Sequence, residues 1–178
     1  MIKTLTRLAI LLILALILGA CSTMKPEDYA EATPKLDLFA YFEGETRAWG
    51  LFQDRFGQVR RRFTVDITGV REGDRLTLDE SFVYDDGETQ RRVWVIDRLD
   101  EHRFEGQADD VLGVAEGKAY GNALNWRYQL LLQVGERQWR VNFDDWMFLL
   151  DEQVLINKAK VNKYGLTIGE VTLFFQKP

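Results

Sequence analysis

Four groups of residues in this chain have the types and spacing that chemistry needs. The first is the acidic run Asp144-Asp145, with Asp151 and Glu152 a few positions on. Adjacent carboxylates suit a hard cation or an acid/base pair. They equally suit a strand bulge whose carboxylates meet Arg127 or backbone donors, and the structural reading is preferred because bulges also occur away from active sites. The second group is Glu80 with Arg91. On an apolar sheet face that pair could orient a ligand's head group, or simply close the end of the sheet as a paired charge. The third is His102, the only histidine, set in Asp100-Glu101-His102-Arg103. No nucleophile and orienting acid stand where a triad would assemble around it, so it reads as a turn residue. The fourth is Cys21, the only cysteine. One cysteine and one histidine make no zinc ligand set, and no glycine-rich phosphate loop precedes a helix. No catalytic residue, metal ligand or cofactor is assigned.

Cys21 closes the stretch Leu18-Gly19-Ala20-Cys21, which resembles a bacterial lipobox. Upstream are Lys3 and Arg7, then an unbroken apolar run from Leu8 to Leu18. That is the basic start and apolar segment of a secretory signal. A membrane span needs roughly 20 apolar residues, so a cleaved leader fits better than a permanent anchor. A lone cysteine in an exported chain is otherwise odd, and lipidation accounts for it. Stable anchoring takes two acyl chains. Ser22, in place of an aspartate, points to the outer membrane in the enterobacterial sorting scheme. The expected organisation is a leader over 1–20, a lipidated N-terminus and flexible tether over 21–35, and one domain over 36–178. Extended, the tether reaches at most ~50 Å.

Removing the leader leaves 158 residues, enough for a sizeable core. The leader takes two of the 23 basic residues and no acidic one, which leaves a formal charge of −7. Such a surface repels nucleic acid phosphates and anionic lipid heads, so no nucleic-acid partner is expected. Arg60-Arg61-Arg62 and Arg91-Arg92 do not change this, because strand alternation sends neighbouring arginines to opposite faces. Without disulfides, stability rests on packing, to which the 22 aromatic residues contribute.

The elements that must position these groups are strands. From Gly44 the apolar period is two. Trp49, Leu51 and Phe52 mark a first strand, Phe63, Val65 and Ile67 a second, Leu76, Leu78, Phe82 and Tyr84 a third, and Val93, Val95 and Leu99 a fourth. Shorter strands cover 103–108 and 114–120. Trp126, Tyr128, Leu130 and Leu132 alternate across Gly135-Glu136 from Trp139, Val141 and Phe143. Two further strands cover 154–163 and 166–176. Before them all, Lys35–Phe42 could form a helical turn. An all-β, antiparallel, up-and-down barrel of eight to ten strands, lipocalin-like by fold analogy, follows.

Two hairpins fix register. A two-residue Asp86-Gly87 turn pairs Phe82 with Arg91 and sets Glu80 diagonal to Arg91. A Gly135-Glu136 turn pairs Leu132 with Trp139, Leu130 with Val141, Tyr128 with Phe143 and Trp126 with Asp145. Trp146, Phe148 and Leu150 then continue the apolar face on even numbers, which demands a bulge at Asp144-Asp145. Seven small residues, Gly106, Ala108, Gly113, Ala115, Gly117, Ala119 and Gly121, should leave a gap on one side of the interior.

Several long motifs also resemble a known family: the stretch Phe82–Arg92, the stretch Gly121–Trp126, Phe143-Asp-Asp-Trp146, and Gly169-Glu-Val-Thr-Leu-Phe-Phe175. They are similar to the bacterial lipoproteins of domain-of-unknown-function family 3833. That resemblance implies an envelope lipoprotein without an assigned activity or catalytic residues. The leading expectation is a non-enzymatic binding module for an apolar or amphipathic, lipid-like ligand, held at the periplasmic face of the outer membrane by acylated Cys21. Glu80, Arg91, Trp126, Trp139, Trp146 and Asp145 are the candidate ligand residues. A scaffolding lipoprotein with a filled core comes second, its protein partner undefined. A hydrolase using Asp144 and Asp145 comes third.

The address is testable directly. Cells fed a fatty-acid label should incorporate it into this chain, and the mature protein should fractionate with outer membranes. A Cys21→Ser protein that still takes up label would contradict the reading.

Overall fold

The computed structural model describes residues 24–134 and 137–178. The leader, Cys21 and the Gly135-Glu136 turn lie outside the described residues. Period-two alternation sends the apolar side chains of each strand to one face, and the sheet buries that face by closing on itself. Ten strands do so: β1 (Gly44–Asp54), β2 (Val59–Glu72), β3 (Arg75–Tyr84), β4 (Thr89–Arg98), β5 (Arg103–Gln107), β6 (Val111–Tyr120), β7 (Ala123–Val134), β8 (Arg137–Leu149), β9 (Val154–Lys163) and β10 (Leu166–Gln176). Each pairs antiparallel with its sequence neighbours, and β1 pairs with β10 to close the ring. The fold is the expected all-β, up-and-down barrel.

A short helix stops one end. Helix α1 (Leu38–Phe42) starts at Asp37, whose Oδ1 accepts from the Phe39 and Ala40 amides at 3.0 and 3.3 Å. That cap satisfies two donors that a helix start leaves without partners. Leu38, Phe39 and Phe42 are buried, Phe39 against Phe104 and Phe42 edge-on to Phe175. Gly69 admits the helix: a Cβ there would lie 1.8 Å from the Phe42 carbonyl oxygen.

Between Met24 and Leu36 the chain lies along the outside of the barrel. A 3₁₀ turn (Pro26–Tyr29) packs on β6 and β7. Glu27 pairs with Lys118, and the Leu36 amide donates to the Gly121 carbonyl at 2.8 Å. The Tyr29 ring meets Phe148 at 5.3 Å and Trp146 at 6.0 Å. The stretch expected as a tether is thus docked from Met24 onward.

The docked segment explains one correction. The β7–β8 register runs unbroken from Val134↔Arg137 to Ala123↔Phe148 and includes all four expected pairs. There is no bulge at Asp144-Asp145. Asp145 and Met147 continue the inner face, while Trp146 and Phe148 point outward under Tyr29. Their hydrophobicity answers to the N-terminal segment, not to the barrel interior.

A second correction concerns β3 and β4. Glu80 pairs with Arg92 and Phe82 with Gln90. The turn is a three-residue loop, Asp85-Asp86-Gly87, closed by the Tyr84 amide on the Glu88 carbonyl at 2.9 Å, with Gly87 at φ 87°. That is the type I turn plus left-handed glycine of a longer hairpin. One extra loop residue flips every β4 side chain. Trp94 and Ile96 therefore face inward, in place of Val93 and Val95.

The small residues on β5 and β6 are the third correction. The two that face the indoles, Gly106 and Gly117, leave no gap: a Cβ at Gly117 would lie 2.6 Å from the Trp126 ring, and one at Gly106 3.3 Å from Trp94 and 3.5 Å from Trp126, while Gly113 faces open space on the exposed side. The missing volume of Gly106 and Gly117 holds two indoles. Truncating Trp126 to Ala should therefore cost about 3–5 kcal/mol, with Gly117→Val also strongly destabilising. Trp139, half-buried at the far end, should cost less than half as much as Trp126. Urea denaturation midpoints check this ordering; a Trp126→Ala midpoint equal to that of the parent protein would contradict it.

Candidate functional site

The interior is not filled. A cavity of about 520 Å³ runs from α1 toward the opposite end, walled by β1–β4 and β7–β10. Strands β5 and β6 contribute nothing to the wall, because Trp94 and Trp126 lie over them. The lining has an order along the barrel. Leu38, Phe42, Leu78 and Ile96 form an apolar floor beside the helix. Phe63, Phe82, Phe143 and Val171 line the upper wall, and Arg60, Arg61, Tyr84 and Gln133 stand toward the mouth. Arg61 is held there by Asp86 and Glu88, at 3.1 and 2.9 Å, with its guanidinium 3.7 Å over the Tyr84 ring. Arg60 is paired with Asp54 at 2.6 Å.

A polar cluster interrupts the apolar wall. Glu80 enters from β3, Arg92 from β4, Tyr128 from β7, Asp145 from β8 and Asn157 from β9. Arg92 donates through Nε and Nη2 to Asp110 Oδ2, at 3.1 and 2.6 Å. Tyr128 donates its hydroxyl to Asp145 Oδ2 at 3.3 Å, and Asn157 donates its amide to Asp145 Oδ1. Glu80 is different. Among the described residues no donor hydrogen-bonds to its carboxylate and no cation pairs with it at contact distance. Protein surrounds it, and what surface it keeps opens into the cavity.

Burial sets the protonation of this cluster. It raises Glu80 to about 7; Arg92 pulls that back, while Asp110, Asp145 and Asp79 push it up. It likewise raises Asp145 to about 7, against the hydrogen bonds from Asn157 and Tyr128. The Tyr128 hydroxyl is pushed well above its ordinary value by burial and by Asp145. For Arg92 burial opposes the charge, but Glu80 and Asp110 outweigh it and the pKa rises.

The structure distributes the sequence candidates unevenly. Glu80, Trp126 and Asp145 are on the cavity wall. Arg91 is not: it faces solvent and pairs with Asp79 at 2.7 Å, and the register correction gives its expected place to Arg92. Trp146 lies outside the barrel. Trp139 is on an inner face beyond the cavity wall, with the Lys163 ammonium 3.5 Å from its ring centre. Asp144 and Asp145 point to opposite sides of β8. Asp144 accepts from Asn125 at 2.8 Å and faces Arg127 at 3.8 Å, so the two carboxylates share no reaction centre. His102 stacks on Tyr120 at 3.9 Å, with Nδ1 3.0 Å from the Ala119 carbonyl. Arg92, Asn157 and the loop residue Asp110 were missed. The readable signal for Arg92 was the third turn residue of Asp85-Asp86-Gly87; Asp110 and Asn157 had none.

Fold and cavity together define a closed, lipocalin-like β-barrel with an internal chamber. The chain belongs to the DUF3833 family, described as proteins of unknown function, which it matches over residues 15–177. No curated protein matches the sequence. Among solved structures, the S-type phycobiliprotein lyase CPES from Guillardia theta is similar, with a TM-score of 0.60 at 8% identity, covering 87% of this chain and 99% of that one. A protein of unknown function from the DUF3598 family of Nostoc punctiforme PCC 73102 is also similar. It has a TM-score of 0.49 at 13% identity, over 83% of this chain and 51% of the other. At these identities the likeness concerns the fold alone.

The raised carboxylates make a signed prediction. A folded-state pKa above the unfolded value means that the native state holds the proton longer. Stability is then greatest below pH 4.5 for Glu80 and declines as pH rises through about 7. Glu80→Gln should flatten that decline and stabilise the protein at pH 8, by on the order of 2 kcal/mol. Denaturation midpoints at pH 5 and pH 8 measure it. A variant with the same decline as the parent would contradict the assignment.

Proposed function

We propose that the protein is an envelope lipoprotein whose barrel binds one apolar or amphipathic molecule, without catalysing a reaction on it. The observation that carries the proposal is the cavity: about 520 Å³ of mostly apolar wall interrupted by a few convergent polar groups. Ligand pockets typically measure about 300–1,000 Å³ and have this make-up. A scaffolding barrel would fill its interior with side chains, as this one does only beside β5 and β6. A hydrolase built on Asp144 and Asp145 has no geometry, since the sheet separates them.

The proposed address rests on the sequence. Cys21 would carry the acyl chains, and the domain would face the periplasm from the outer membrane. Two residues, Ser22 and Thr23, separate Cys21 from Met24, where the chain joins the barrel wall, so the three residue steps reach about 11 Å at most. Lipidation would therefore hold the domain close to the bilayer.

Binding is measurable through the tryptophans on the cavity wall, Trp94 and Trp126. A long-chain alcohol should change their emission saturably, at one molecule per chain. Ala159, fully buried on the wall, gives the control. Ala159→Phe fills the chamber and should weaken binding by about ten-fold or more, or 1.4 kcal/mol. Unchanged emission across the alcohols, with the protein folded, would favour the scaffolding role.

A further inference from the structure

The polar cluster on the chamber wall has more hydrogen-bond acceptors than donors. Asp145 is served by Tyr128 and Asn157. Arg92 is the one cation of the polar cluster, and its short contacts go to Asp110. The remainder of the cluster are acceptors without a donor among the described residues: both Glu80 oxygens, which keep some surface toward the cavity, and the buried Oδ1 of Asn157. Behind the wall Oδ1 of Asp110 is also unpaired, and the one unpaired buried donor among the described lining residues, Arg61 Nε, stands toward the mouth. Unsatisfied buried acceptors are costly, and a buried carboxylate lacking a partner is the costliest of them. The missing element is a donor, and the cavity has room for a molecule that brings one.

Charge points the same way. Glu80 and Asp110 act on one guanidinium, Arg92, and Asp145 adds its negative potential at Glu80. Asp110 already neutralises Arg92 at 2.6 Å. Asp79 and Asp144 add negative potential from the outer face of the same strands, Asp79 toward Glu80 and Asp144 toward Asp145. Tyr128 is held neutral by its burial and by Asp145. Toward the mouth, Arg60 and Arg61 are neutralised by Asp54, Asp86 and Glu88. An anionic head group reaching the cluster would find its only guanidinium occupied and two further carboxylates opposed to it.

We propose that the chamber is specific for an apolar molecule carrying a cationic donor group, a primary ammonium or its equivalent, seated against Glu80 and Asp145 with the apolar body along the phenylalanine wall. This rests on the binding reading above and names its ligand class. It reverses the expectation that an inward Arg91 would favour anions. Glu80 supplies the counter-charge, and Asn157 Oδ1 and the second Glu80 oxygen accept the remaining ammonium protons. Bringing in the cation draws Glu80 to its ionised form, so binding expels one proton when it begins from the protonated site.

The test compares three probes of equal chain length below their micellar concentrations: dodecylammonium, dodecanol and dodecanoate, read by tryptophan emission and by calorimetry in two buffers of different ionisation enthalpy. Dodecylammonium should bind about ten-fold or more tighter than dodecanoate, and at pH 6 should release about one proton per molecule bound. Glu80→Gln should lower ammonium affinity to that of the alcohol for the same variant, and an unchanged far-ultraviolet circular dichroism spectrum shows that the variant is folded. Dodecanoate binding as tightly as dodecylammonium, or ammonium binding without proton release, would overturn the head-group assignment while dodecanol binding preserves the chamber's role. Failure of all three to bind would overturn both.

Discussion

Closure of the sheet is the constraint on which the rest depends. β1 finds its partner in β10, so every one of the ten described strands has a neighbour on both sides. Once closed, alternation leaves each side chain two destinations, the interior or the surface. An eight-stranded barrel just accommodates its own side chains or one small ligand. Ten strands enclose more, and the interior must be occupied by something. Here α1 stops one end, Trp94 and Trp126 fill the side beside β5 and β6, and the remaining volume stays open between β1–β4 and β7–β10.

That division of space depends on a few glycines and two indoles. Gly106 and Gly117 give up side-chain volume so that the rings can lie flat against the wall. Gly69 does the same for the backbone of the helix. The outer surface is managed separately. The N-terminal segment covers Trp146 and Phe148, which would otherwise be an apolar patch of the kind that invites association, and it does so through Tyr29, the Glu27–Lys118 pair and the Leu36 amide. The polar cluster is therefore enclosed on all sides but one. In that setting neither Glu80 nor Asp145 retains the acidity of an exposed carboxylate.

The strand pattern was legible because period two survives in the residues themselves: Phe63, Val65 and Ile67, or Trp126, Tyr128, Leu130 and Leu132, admit one face only. The β7–β8 pairing could be read to the residue for the same reason. What could not be read was local. Asp86-Gly87 looks the same in a two-residue and a three-residue turn, and the difference decides whether Arg91 or Arg92 enters the barrel. Trp146 looks like a core residue because it is one, of a different interface: nothing near it in sequence says that Tyr29 will cover it. Gly117 and its neighbours announce missing volume without saying what fills it. Of the five members of the polar cluster, Glu80 and Asp145 were legible as candidate ligand residues and Tyr128 as an inward side chain. Arg92 and Asn157, with the Asp110 that holds Arg92 from outside the lining, depended on a loop length and on long-range geometry.

The central claim is that this barrel is built around a space meant for another molecule. Native mass spectrometry of the lipidated protein, extracted gently from its own membranes, addresses that most directly. The account predicts a one-to-one non-covalent adduct of a predominantly apolar molecule, lost on denaturation and absent from an Ala159→Phe protein prepared in the same way. A parent protein that carries no adduct, and whose interior holds only ordered water in an experimental structure, would contradict it.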